Sequence, residues 1–245
     1  EVWAMDLVIG AGLCSFWGLA LCLVGVLQTT TVVIGIAAQA CIGRWRRNHR
    51  PFRPLVFAMA AGLPNLVVAA GPPHFYDAMV YHMGLPWQAL LVGGWTAQPE
   101  NLFSTFPPLS QMTAVPALAL GLFRIPGLLH WWAWVVAAAA AGSLARRLGA
   151  PRYLGNLVTA ATMLLPVSPL VPGFPAAEGW FLAALSPAMG AALTQASRRC
   201  SFPPMMLMLG LATATRVQGL TWLAILLVLR MISTRKHAFL LKGLG

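Results

Sequence analysis

Apolar runs nearly free of Asp, Glu, Lys and Arg recur along this chain, and they constrain its fold more than any other feature. They predict helical spans at about 7–27, 29–43, 55–71, 126–145, 154–170, 178–197, 203–215 and 218–232. A helix satisfies its own backbone hydrogen bonds, so such runs can lie in hydrocarbon, where an open strand cannot. Several approach the roughly 17 to 25 residues that cross a bilayer. The alternating polarity of a β-barrel strand is missing from these runs. With 59% of its residues hydrophobic and only 9% charged, the chain cannot cover a soluble core with polar surface. The expectation is an all-α, polytopic transmembrane helical bundle of about eight spans.

The net charge of +11 comes in short clusters between those runs. They are Arg44, Arg46, Arg47, Arg50 and Arg53; Arg146, Arg147 and Arg152; Arg198 and Arg199; and Arg235, Lys236 and Lys242. That pattern belongs to cytoplasmic loops rather than to a nucleic-acid surface, so no nucleic-acid partner is expected. If 72–125 stays on one side, every cluster falls on one face, which the positive-inside rule assigns to the cytoplasm of a bacterial inner membrane. Leu109 to Phe123 is apolar enough to cross. A crossing there would put Arg146 to Arg152 outside, so this stretch is expected as an interfacial helix in the outer loop. Asp77, Glu100, Glu178, Arg124 and Arg216 then collect on the extracytoplasmic side. Cys14, Cys22, Cys41 and Cys200 lack metal or haem spacing and read as packing residues.

The most informative stretch is GPPHFYDAMVYHMGLPWQALLVGGW at 71–95, followed by PENLFSTFPPLSQM at 99–112. It resembles the first extracytoplasmic loop of the GT-C superfamily of integral membrane glycosyltransferases, particularly the bacterial protein O-mannosyltransferase and aminoarabinose-transferase type. Asp77, Tyr81, His82, Gly94, Phe106, Pro107, Pro108 and Leu109 carry the likeness. Weaker likenesses at ARRLGAPR, FPAAEGWF and GLATATRVQGL extend it over roughly 55–232. On this reading residues 1–54 hold the N-terminal spans and a basic cytoplasmic loop, and 55–245 the GT-C-like core with its outer loop 72–125. The chain departs from the pattern at Gln111, Glu178 and Arg216, where relatives carry an acid, an Asp and a Lys. It is also short for the superfamily, and its closing FLLKGLG reads as the start of further sequence.

The resemblance implies transfer of a sugar from a polyprenyl-phosphate donor, with Asp77 as base and Tyr81, His82, Glu178 and Arg216 contacting substrate. It leaves room for a divalent metal at Asp77 and His82. Each residue also has a structural reading. Asp77 is placed to cap the helix beginning near Ala78, and Arg216 to pair with Glu178 or Asp77. His82, five residues after Asp77, falls off the face that α-helical spacing would give it. His130, beside Trp131, Trp132 and Trp134, reads as part of an aromatic belt. Membrane lipids are implied partners, the basic cluster at 44–53 contacting anionic headgroups. The rival from another class is a noncatalytic GT-C-like subunit packed against membrane-protein partners, favoured by the short length and Gln111. A transporter fits less well, because no inverted repeat and no acid deep within a span is evident.

Overall fold

A computed structural model describes residues 2–44, 53–73, 76–95, 98–101, 104, 109–164, 177–194, 202–216, 218–228 and 231. The described residues are 83% helix and contain no strand. The helices fall where the apolar runs predict them. α1 is Val2–Val24 and α2 Thr29–Arg44; the run at 55–71 becomes two pieces, α3 Arg53–Ala61 and α4 Leu63–Ala70. A π-helical turn, Ala78–His82, leads into α5, Gly84–Val92; then come the short α6, Leu109–Met112, and α7, Val115–Ala119. The second half holds α8 Ile125–Arg147, α9 Arg152–Leu164, α10 Glu178–Thr194, α11 Phe202–Thr215 and α12 Gly219–Val228.

α8 is the central element. Pro126 starts it at a position where a missing N–H costs nothing, and Gly149, with φ of 99°, turns the chain away after its end. Ala133 and Ala137 face Ala183, Ala184 and Ala188 of α10, with Met205, Met208 and Leu209 of α11 behind them. The opposite side, Trp131, Val135, Ala138 and Ala139, meets Ala58, Ala69 and Met163. Small side chains let these helices approach closely. The limit is reached between α8 and α9: a Cβ on Gly142 would lie 2.0 Å from Thr159 Oγ1 and 2.4 Å from the Gly155 carbonyl oxygen.

The expected crossing at 55–71 is bent by 65° at Gly62. Trp131 Nε1–H donates to the Gly62 carbonyl at 2.9 Å, and Asn65 Nδ2–H donates to the Met163 carbonyl at 2.8 Å. The break is thereby tied to both α8 and α9. Leu109 to Phe123 also departs from expectation. It forms two short helices, and Leu109, Met112, Val115 and Leu118 are buried. Met112 and Val115 pack with Leu21 and Cys22 of α1, Val32 of α2 and Ala89 of α5, so protein covers the first part of the stretch that was expected to lie on lipid, while Leu120, Leu122 and Phe123 stay exposed. By length and apolar character α8 qualifies as a membrane crossing among the described residues, and the bent α3–α4 pair would make a second. Ile9–Val24, Thr29–Ala38, Met205–Thr215 and Gly219–Val228 are apolar but shorter.

Candidate functional site

The loop after α4 delivers Asp77 into a turn that is not α-helical. Met83 N–H bonds to the Ala78 carbonyl at 2.8 Å, an i→i+5 closure that defines a single π turn. Gly84 permits it, because a Cβ there would sit 2.4 Å from the Met79 carbonyl oxygen. Tyr81 donates its phenolic hydrogen to the Asp77 carboxylate, and His82 is buried beside the Tyr81 ring, with centroids 4.1 Å apart. Asp77 makes no side-chain capping bond, so the cap reading is not what holds it.

The partners arrive from the other half of the chain. Glu178 opens α10, and Arg216 follows α11, its amide closing the last turn on the Ala212 carbonyl at 3.0 Å. Arg216 Nη2 and Glu178 Oε1 form an ion pair, and both side chains remain about a third or more exposed, at 41% and 34%. His130 of α8 is 1% exposed, and its Nε2 accepts the Gly179 N–H at 3.1 Å. That contact places it inside the bundle instead of in the interfacial aromatic belt expected from its tryptophan neighbours.

Electrostatics tie the two halves into one site. Burial, the charges of Asp77 and Glu178, and the hydrogen bond to Asp77 push the Tyr81 phenol up to about 12, against a smaller downward pull from Arg216. Tyr81 therefore stays protonated and serves as a donor. Burial first, then the proximity of His130 and Arg216, holds His82 down to about 3, so it is neutral at any physiological pH. Its Nδ1 is buried without a hydrogen-bond partner.

Asp77, Tyr81, His82, Glu178 and Arg216 are thus brought together, and His130 joins them. Glu100 and Arg124 are exposed, while Phe106, Pro107, Pro108 and His74 lie outside the described residues. Gln111 is 3% exposed, its side-chain oxygen without a hydrogen-bond partner. No group of three or more His, Cys, Asp or Glu side chains among the described residues could hold a metal ion, so Asp77 and His82 do not form a metal centre with a third protein ligand there. The arrangement can accept a proton at one carboxylate and present a cation a short way off. No protein-family model, no curated protein and no solved structure matches this chain. The resemblance at 71–112 accordingly rests on its own residues.

Proposed function

We propose that this chain is an integral membrane glycosyltransferase of the GT-C type, taking a sugar from a polyprenyl-phosphate donor on the extracytoplasmic face. One observation carries the reading: the Asp77–Tyr81 pair and the Glu178–Arg216 pair reach a common site from three separate elements. The membrane part is supported by apolar side chains left facing outward. α9 buries Gly155, Thr159 and Met163 while exposing Tyr153, Leu157 and Leu164, and Leu23, Val24, Val67 and Leu91 are exposed elsewhere. Soluble monomers rarely expose large contiguous apolar patches, and lipid would cover these as it would the proposed spans of a bundle of about eight.

The chemistry follows from what each group can hold. One Asp77 oxygen accepts from Tyr81, leaving the other to take the proton of an acceptor hydroxyl as its oxygen attacks the anomeric carbon. The bond from that carbon to the phosphate oxygen breaks, and the phosphate departs with the electron pair. Arg216 carries five N–H donors and commits Nη2 to Glu178, so others remain to stabilise that charge. Neutral His82 can hydrogen-bond a sugar hydroxyl without adding charge.

The noncatalytic-subunit reading has one observation of its own: Glu178 already neutralises Arg216. Transfer from a panel of polyprenyl-phosphate sugars in membranes separates the two. The parent should transfer, and Asp77→Asn, at equal abundance, should lose about 10² to 10⁴ fold, the usual share of general-base catalysis. Near-parental turnover by the Asn variant would defeat the assignment of Asp77, and a parent inert across the panel would leave the subunit reading in its place.

A further inference from the structure

A second charged site lies at the other end of α8. Arg146 is about 24 Å along the helix from His130 at 1.5 Å per residue, and with Arg53 and Arg152 it surrounds a pocket of about 490 Å³ completed by Pro54, Phe57 and Asn156. Three helices contribute one guanidinium each: the last turn of α8 and the first residues of α3 and α9. None of the chain's acidic side chains is among these lining residues. Arg146 Nε–H reaches the Gly142 carbonyl at 3.3 Å, but its Nη2 is buried with no hydrogen-bond partner.

A guanidinium nitrogen desolvated and left unpaired costs free energy that a bound acceptor would recover. Converging cations without a carboxylate beside them add repulsion that an anion would relieve, and the N-termini of α3 and α9 outnumber the single C-terminus of α8 there. Guanidinium forks match the paired oxygens of a phosphate. Phe57 is itself exposed in the pocket wall, as are Val56 beside it on α3 and, on α9, Tyr153 and Leu157, the neighbours in sequence of Arg152 and Asn156. We infer that this pocket binds a phosphate group, and that the apolar surroundings make it the headgroup of an anionic phospholipid whose chains lie along α3 and α9. The inference is independent of the proposed transferase site.

Arg53 and Arg152 are exposed, so the double variant Arg53→Gln/Arg152→Gln leaves the helix packing untouched. Binding is read on the full chain in phosphatidylcholine nanodiscs by native mass spectrometry and thermal shift. Three titrants are compared: phosphatidylglycerol, oleate as an anionic lipid lacking phosphate, and inorganic phosphate. Phosphatidylglycerol should bind saturably to the parent, at least about tenfold more weakly to the double variant given charge-assisted bonds lost, and more weakly at high salt. Equal affinity of parent and variant, or oleate binding as tightly as phosphatidylglycerol, would overturn the site. Saturable binding of inorganic phosphate with no response to phosphatidylglycerol would overturn the lipid assignment. Arg146→Lys keeps the charge but not the fork, and parental phosphatidylglycerol affinity in that variant would overturn the role given to Arg146.

Discussion

His82 is kept neutral by its surroundings, and that has a pH signature. Its folded value, about 3, lies below the ordinary 6.5, so between those limits the unfolded chain binds a proton that the folded one refuses. Stability should therefore rise with pH across that window and fall as pH drops from 6.5 toward 3, with a slope of up to about 1.4 kcal/mol per pH unit from this one group. Thermal melts of detergent-solubilised protein would show it, and His82→Asn should flatten the slope. An unchanged slope would mean that His82 is not buried neutral. At this scale the sequence was partly readable. The separation of four residues between Asp77 and Tyr81 predicts proximity, and pairing of Arg216 with Glu178 was one of the two readings its apolar setting allowed. His130 was obscured by its neighbours, because three tryptophans suggest a lipid interface while its actual partner, the Gly179 amide, is 49 residues away.

The π turn is the element on which the site depends, and Gly84 is what allows it. Gly84→Ala puts a methyl carbon 2.4 Å from the Met79 carbonyl oxygen, so the turn must open, at a cost of about 1 to 3 kcal/mol by the usual scale of overpacking. Gly210 in α11 has nothing within 4 Å of the same added atom, and Gly210→Ala should instead stabilise by about 0.5 to 1 kcal/mol through helix propensity. Denaturant melts of the two variants should move in opposite directions; equal shifts would remove Gly84 from its role. The helices themselves were legible because apolar run length and bounding Pro, Gly and Arg residues mark them locally. The turn type, the bend at Gly62 and the burial of Leu109 to Leu118 were not. The bend and the burial are decided by contacts with distant helices, Trp131 and Met163 at the bend and α1 and α5 over α6 and α7, and the turn by a close fit at Gly84 that helical periodicity does not show.

For the whole molecule the proposed orientation makes a direct claim about its two ends. In a background with the native cysteines replaced, Pro99→Cys should react with a membrane-impermeant maleimide on intact spheroplasts, and Leu148→Cys only after permeabilisation. Both positions are exposed, so accessibility within the fold does not confound the result, as it would at Ser104, which is buried. The reverse pattern would invert the topology and move the Asp77 site to the cytoplasm. The bend between α3 and α4 gives this architecture an unexpected mechanical property. α4 is eight residues, about 12 Å long, and its far end begins the stretch that leads to Asp77. A swing of about 10° at Gly62 would carry that end through about 2 Å by the same rise per residue, whereas misplacement by about 1 Å can cost a reaction a hundredfold. The bearing of α4 is fixed in part by one indole hydrogen of Trp131, on a different helix and not itself a member of the site. With the Asn65 amide bond to Met163, which holds α4 itself, alignment of the proposed base is thus leveraged through two bonds deep in the bundle.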